Sequence, residues 1–289
     1  MGLNKEAIKI GFAYVGIVVG AGFSTGQEVM QFFTPFGLWS YIGVIISGFI
    51  LGFIGRQVAK IGTAFEAKNH ESTLQYVFGK KFSKVFDYIL VFFLFGIAVT
   101  MIAGSGSTFE QSFGIPTWLG ALIMTVLIYL TLLLDFNKIV RALGIVTPFL
   151  IIMVILIALF YLFTGSISLG EVNSAMPETS AWKGIFWGIV YGGLAFAVGF
   201  STIVAIGGDA SKRKVSGAGA MFGGVLYAIL LALINFSLQT EYSKIKDVAI
   251  PTLNLAKGIH PWLGLVLTVI MLAVMYNTIL GLCYSFAAR

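Results

Sequence analysis

The residues best able to do chemistry lie in one glycine-rich stretch near the start of the chain. GIVVGAGFSTGQEVMQ, residues 16–31, places several glycines, a serine and a threonine ahead of Gln27 and Glu28, within a run that is otherwise apolar. Glycine, serine and threonine weaken a helix, and an ionised acid is costly in hydrocarbon. We interpret the stretch as a broken membrane helix that lines a site, with Glu28 able to take up and release a proton. The alternative for Glu28 is a carboxylate that reaches outward to water or pairs with a neighbouring helix.

The composition places this stretch in a membrane protein. The chain has 289 residues, of which 58% are hydrophobic and 10% charged, and its mean hydropathy is +0.96. Soluble domains carry about 25% charged residues. The net charge of +6 comes from short basic clusters between apolar runs, so it is better read as a topology signal than as a nucleic-acid surface. No nucleotide loop, nucleophile elbow, haem motif or metal-ligand pattern occurs, so we expect neither an enzyme nor a bound cofactor.

Apolar runs of about 20 residues, the length that crosses a bilayer, recur along the whole chain. Most of the 18 lysine and arginine residues fall in alternate loops, which predicts a multi-pass protein of the plasma membrane with both termini in the cytoplasm. The polar stretch at about 61–84 predicts an interfacial helix. An apolar piece at 250–256 is either a capping helix or a solvated loop. The eight predicted spans are 8–33, 37–59, 85–111, 117–134, 139–163, 182–208, 216–239 and 262–287.

Span six repeats the glycine pattern of span one, so we predict a second break near Gly192–Gly199 to match the one near Gly20–Gly26. Span six comes five spans after span one, an odd number, so the two run in opposite directions. Interrupted helices in halves of opposite topology are typical of inverted-repeat transporters, whose site lies where the breaks meet. Free backbone N–H and C=O groups there would suit a zwitterion such as an amino acid. The alternative is close helix packing, because Gly188 and Gly192 have the i, i+4 spacing of small packing residues.

The segment FAYVGIVVGAGFSTGQEVMQFF, Phe12 to Phe33, resembles the opening span of the YkvI-like amino-acid permeases of the amino acid, polyamine and organocation (APC) superfamily. The similarity extends more loosely through all eight spans. The resemblance implies an all-α, five-plus-five inverted-repeat (LeuT-like) fold and alternating-access transport of an amino acid or related amine. The coupling ion would be H⁺ or Na⁺, and no other metal is implied.

The resemblance also implies particular site residues. The substrate would contact span one at Ala21, Gly22, Phe23 and Ser24, and span six at Tyr191, Gly192, Gly193 and Phe196. A sodium site would use Gly16 and Val19 with Val274, Asn277 and Thr278, alongside Glu28 as the ion-coupling acid. For Asn277 and Thr278, interhelical hydrogen bonding is the alternative.

The superfamily fold has ten spans, whereas this sequence shows eight, so we expect a chain that lacks two C-terminal spans. Residues 1–164 would form the first repeat and 165–289 an incomplete second repeat. Other classes of protein stay open: a membrane receptor that kept the fold, a channel, or a structural membrane subunit. The sequence does not indicate an oligomeric state. Its expected partners are a small-molecule substrate and the lipid bilayer.

Overall fold

A computed structural model describes residues 4–133, 146–168 and 170–287. All regular secondary structure in these ranges is helical. A 3₁₀ helix, Thr34–Trp39, precedes the α-helix Ser40–Phe49. A π-helical turn, Ile50–Ile54, joins that helix to the α-helix Gly55–Phe65. The α-helices are α1 Lys5–Val18, α2 Ala21–Thr25, α3 Gln27–Phe32, α4 Ser40–Phe49, α5 Gly55–Phe65, α6 Glu71–Phe113, α7 Thr117–Leu132, α8 Val146–Thr164, α9 Val172–Ala175, α10 Ala181–Gly208, α11 Arg213–Thr240, α12 Tyr242–Ile245, α13 Pro251–Ile259 and α14 Pro261–Ala287.

Five helical segments are long and apolar enough to cross a membrane, and α7 and α8 are shorter apolar helices. Most predicted spans have a counterpart among these helices, and α1 to α3 occupy the range of span one. The stretch between α7 and α8, including the predicted end of span four and start of span five, lies outside the described residues. The five segments are Thr34–Phe65, Glu71–Phe113, Ala181–Gly208, Arg213–Thr240 and Pro261–Cys283.

The first span breaks where the glycines lie. Helix α1 ends at Val18, and Gly20 is extended, with φ −86° and ψ −168°. After the five residues of α2, Gly26 adopts a left-handed conformation with φ 81°, which glycine tolerates because it has no Cβ. Span one therefore consists of three short helices, in agreement with the predicted break.

Span six, by contrast, has no break. Helix α10 runs without interruption from Ala181 to Gly208, so the predicted break near Gly192–Gly199 is wrong. Its glycines instead let other helices approach closely. A Cβ on Gly188 would overlap the backbone of Gly43 in α4, and the Ser47 hydroxyl donates to the Gly188 carbonyl at 2.8 Å. The close-packing alternative is the correct one for this helix.

The stretch predicted as an interfacial helix, about 61–84, is divided between two elements. Residues 61–65 complete α5, and α6 begins with a helical segment from Glu71 that is interrupted at Gly79, where φ is 73°, before the helix continues to Phe113. The bend brings the Phe78 and Phe86 rings into a stack with centroids 4.0 Å apart. The boundary lies at Gly79 because a positive φ interrupts the helix at a residue without a Cβ.

Helix packing at Gly188 should be sensitive to a single methyl group. Gly188→Ala places a Cβ against main-chain atoms of Gly43, which have no rotamer by which to move away. We expect a loss of about 1–3 kcal/mol in the free energy of unfolding, as for other overpacked sites. Thermal unfolding in detergent measures this. The matched control is Gly193→Ala, whose Cβ would meet open space and should leave stability unchanged or slightly raised. Equal melting temperatures for the two variants would contradict the packing assignment.

Candidate functional site

The break in span one holds an acidic side chain that turns back toward the glycines before it. Glu28 lies in the first turn of α3 and is half-buried. Its Cγ and carboxyl group occupy the space where a side chain on Gly22 would begin. A residue larger than glycine at position 22 therefore cannot coexist with this position of Glu28.

A tyrosine of a neighbouring helix binds the Glu28 carboxylate, and a second tyrosine is hydrogen-bonded to the first. The Tyr191 hydroxyl of α10 donates to Glu28 Oε2 at 3.1 Å, and it is also hydrogen-bonded to the hydroxyl of Tyr227 in α11. Both tyrosines are buried. A hydrogen bond to a charged group contributes more than one between neutral groups, about 1.5–3 kcal/mol. The cluster Glu28, Tyr191 and Tyr227 thus joins the broken span to α10 and α11, and we call it the carboxylate cluster.

Aromatic rings enclose this carboxylate cluster. Phe33 packs edge-on against the Tyr191 ring, with centroids 4.9 Å apart, and Phe32 lies 5.4 Å from the same ring. Phe23 covers Tyr227 at 5.3 Å. Apolar walls of this kind exclude water and strengthen electrostatic interactions within them. The arrangement can bind a cationic group strongly or hold a proton on Glu28.

Helix α13 covers the second bend of the broken span. The apolar piece at 250–256 is helical and buried, so the capping-helix interpretation is correct and the solvated-loop one is wrong. Thr252 lies next to Gly26, and its hydroxyl is buried with no hydrogen-bond partner among the described residues. The Gln27 side chain donates to the Ala249 carbonyl just before this helix. A buried, unpaired hydroxyl beside a bent backbone is a polar group available to a ligand.

The structure brings only part of the predicted substrate set together. The four predicted residues of span one, Ala21 to Ser24, all lie in α2, which begins at Ala21. Phe23 and Ser24 are buried. Of the span-six residues, Tyr191 alone reaches Glu28. The others lie elsewhere: Gly192 packs against Ser47 and Ile50, whereas Gly193 and Phe196 line a separate apolar groove.

The predicted sodium ligands lie on helices that contact each other. Gly16 and Val19 are buried around the end of α1, and α14, which carries Val274 and Thr278, packs against α1 and α2. The Thr278 hydroxyl donates to the Val274 carbonyl at 2.9 Å, so two of the proposed oxygens are hydrogen-bonded to each other within α14. Asn277 is half-buried.

Sequence reasoning missed a buried polar network on α11. Asn235 and Gln239, one turn apart, are both completely buried. The Gln239 amide donates to the Gly37 carbonyl at 2.8 Å, and Asn235 pairs with the hydroxyls of Thr34 and Ser40. The i, i+4 spacing of two amides in an apolar span was the available signal. The network fixes the 3₁₀ turn that follows the broken span.

A second polar cluster lies at the start of α6. His70 Nε2 is 2.9 Å from Asp87 Oδ1, and His70 Nδ1 is 2.8 Å from the Ser201 hydroxyl of α10. Ser201 is buried within the continuous helix α10. The cluster joins the loop after α5 to α6 and α10.

Tyr227→Phe tests the outer member of the carboxylate cluster. The substitution removes one hydroxyl and leaves Tyr191 able to donate to Glu28, so we expect a loss of about 0.5–1.5 kcal/mol in stability, together with altered pH dependence of any ligand effect. Thermal unfolding across a pH series measures both. Tyr14→Phe is the control, because Tyr14 is equally buried but donates to the Leu51 carbonyl instead. Identical pH profiles for the two variants would contradict a link between Tyr227 and Glu28.

Together, the long apolar helices and the acid enclosed among them define a polytopic helical membrane protein. The chain is 27% identical over 284 residues to the uncharacterized membrane protein YkvI of Bacillus subtilis (strain 168). This alignment covers 97% of this chain and 80% of that protein. The chain is 22% identical over 278 residues to the uncharacterized protein YyaD of the same organism, in an alignment that covers 96% of this chain and 79% of that protein. No protein-family model matches the chain. The similarity to both proteins spans nearly the whole chain and supports the membrane assignment.

Proposed function

We propose that the protein is a secondary transporter of the cell membrane that moves a small amino acid or related amine, with Glu28 as the coupling acid. The observation that carries the proposal is the contact of Glu28 with Tyr191 at the break of the first span. An acid inside a membrane segment is expensive, and close packing of helices does not require one. Proton coupling or the binding of a cationic group would give such an acid a role.

The chemistry of the break matches a zwitterion. The N–H groups of Val19, Gly20 and Gly26 donate to nearby carbonyls, whereas α2 begins at Ala21 after the extended Gly20, so the N–H groups of its first turn lie outside the regular helical pattern. Irregular backbone at membrane depth is tolerated where it is buried in protein or lines a cavity. The Glu28 carboxylate suits an ammonium group, and the unpaired Thr252 hydroxyl adds a polar contact.

Proton coupling has more support than sodium coupling. Within the described ranges, Tyr191 is the side chain seen to donate to Glu28, and this carboxyl group can alternate between an acceptor when ionised and a donor when protonated. The sodium alternative relies on neutral carbonyl and hydroxyl oxygens, such as those of Val274 and Thr278, and leaves the half-buried acid without a role. We infer that a proton, rather than Na⁺, drives transport.

A ligand screen on the purified full chain tests the proposal. Thermal unfolding is measured with each of the twenty amino acids, with and without sodium, at two pH values. We expect one chemical group of amino acids to raise the melting temperature in a pH-dependent and sodium-independent manner. Stabilisation by none of them would refute the substrate class, and dependence on sodium alone would refute proton coupling. Stabilisation without flux in vesicles would indicate a receptor.

A further inference from the structure

A buried helix end beside the broken span has hydrogen-bond donors without acceptors. Helix α13 begins at Pro251, and no side chain caps its N-terminus. The N–H groups of Thr252 and Leu253 lie in the first turn, where a helix offers them no internal partner. Among the described residues neither N–H group has an acceptor, and both residues are fully buried. Buried helix ends normally have such partners, so this one is short of an acceptor.

The Thr252 side chain adds a further donor at the same helix end. Its hydroxyl is buried and has no partner within the described part of the chain. The hydroxyl faces Gly26 at the end of α2, because a Cβ on Gly26 would lie 2.5 Å from the hydroxyl oxygen and 3.2 Å from the Thr252 backbone nitrogen. The N–H groups of a first helical turn point out of the N-terminal end. The hydroxyl and the free N–H groups therefore face the second bend of the broken span together.

The carbonyl groups just before α13 are already occupied. The Ala249 carbonyl accepts from the Gln27 side chain, and the Ile250 carbonyl accepts from the Gln111 side chain and from the Asn254 N–H. These amides hold the N-terminus of α13 in place and leave it with an excess of donors. Donors at the positive end of a helix dipole suit an anionic acceptor such as a carboxylate.

We propose that the N-terminus of α13 binds the carboxylate of the transported amino acid, with the Thr252 hydroxyl and the N–H groups of Thr252 and Leu253 as donors. This inference rests on the proposed transport function. Thr252 lies against Gly26, and the Glu28 carboxyl group lies against Gly22, four residues earlier. Residues four apart on a helix have Cβ positions about 5–6 Å apart. An α-amino acid carries its ammonium and carboxylate on one carbon, so hydrogen bonds of about 2.7–3.0 Å at each end let it bridge such a spacing.

This assignment narrows the class of substrate. The acid Glu28 selects for an ammonium group, and the donors at Thr252 select for a carboxylate. A substrate then needs both groups on neighbouring atoms. Amines without a carboxylate, and amino acids whose carboxylate is converted to an amide, should bind weakly because they leave the donors of α13 without an anionic acceptor.

Thermal-shift titrations on the purified full chain test the proposal. Each of the twenty amino acids is compared with its own carboxamide, which keeps the ammonium group and removes the negative charge. The wild type should be stabilised by at least one amino acid and, at equal concentration, not by its amide. Thr252→Val keeps the shape of the side chain and removes the hydroxyl, so the apparent affinity for that amino acid should fall about ten- to a hundredfold. Thr252→Ser keeps the hydroxyl and should bind as the wild type does.

The matched control is Thr268→Val. Thr268 is equally buried, but its hydroxyl donates to the Gly264 carbonyl at 2.8 Å and is hydrogen-bonded to the Ser112 hydroxyl. This variant should melt at a lower temperature without ligand and keep the wild-type affinity. Thr252→Val should not lose stability without ligand, because the hydroxyl that it removes is unpaired.

The outcomes separate this inference from the proposed function. Unchanged affinity in Thr252→Val, or wild-type binding of an amide as tight as that of its amino acid, would overturn the carboxylate site and leave the transport proposal standing. A loss of stability in Thr252→Val as large as that in Thr268→Val would also overturn the site, because the hydroxyl would then have a structural partner. Stabilisation of the wild type by no amino acid would refute the substrate class, and this site with it.

Discussion

Glu28→Gln is expected to abolish proton-driven accumulation of substrate while still allowing exchange of substrate across the membrane at saturating concentrations, with a weaker apparent affinity because the neutral amide attracts an ammonium group less than a carboxylate does. Glutamine has the shape of glutamate, and its amide oxygen can still accept the hydrogen bond from Tyr191. It cannot gain or lose a proton in the physiological range. Accumulation in vesicles with an imposed pH gradient should therefore fall to the level of protein-free vesicles, whereas exchange of labelled for unlabelled substrate continues.

The control for this experiment is Glu110→Gln. Glu110 is also an acid on an apolar helix, but it is exposed near the end of α6, where it accepts a hydrogen bond from Thr117. Accumulation should be normal in this variant. If Glu28→Gln still accumulates substrate against its gradient with an unchanged pH dependence, then Glu28 is not the coupling group.

Gly22→Ala is expected to impair function with little loss of folding. The added Cβ would occupy the space of the Glu28 side chain, which is flexible and can rotate away. Rotation breaks the bond to Tyr191 and displaces the carboxylate that we propose binds the substrate's ammonium group, and loss of one such charged contact, about 1.5–3 kcal/mol, corresponds to about ten- to a hundredfold in apparent substrate affinity. Concentration-dependent exchange in vesicles measures this affinity, and thermal unfolding confirms that the variant is folded.

Gly193→Ala is the matched control, because it makes the same change on a helix of the same bundle where the Cβ meets open space. Its substrate affinity should equal that of the wild type. The account of Gly22 would be contradicted by wild-type affinity in Gly22→Ala. It would also be contradicted if Gly22→Ala lost as much stability as Gly188→Ala, because the defect would then be one of packing.

The sequence contained enough information to predict the break in span one but not the continuity of α10. In span one, Gln27 and Glu28 follow the glycines, and an acid has no role in simple packing. In α10 the glycines have the i, i+4 spacing that serves both a break and a close approach. Which of the two occurs depends on what lies opposite, and here that is the backbone of Gly43. Sequence spacing on one helix does not encode the position of its neighbour.

The candidate site was predicted in part for a similar reason. Glu28 was identifiable because a carboxylate is rare in an apolar run, and Tyr191 followed from the family resemblance. Tyr227 gave no signal, since a tyrosine in an apolar helix is ordinary until its hydroxyl is seen beside that of Tyr191. Thr252 likewise became notable only because the structure leaves its hydroxyl buried and unpaired.

Exchange of labelled amino acids by the wild-type chain in proteoliposomes tests the central claim most directly. Vesicles are loaded with one unlabelled amino acid at a time, and entry of the same labelled amino acid is followed over a range of concentrations. If the protein is such a transporter, exchange saturates with concentration and is competed by chemically similar amino acids, and net accumulation against a gradient requires Glu28. Absence of exchange for every amino acid, or flux that rises linearly without saturation, would contradict a transporter built on the broken first span.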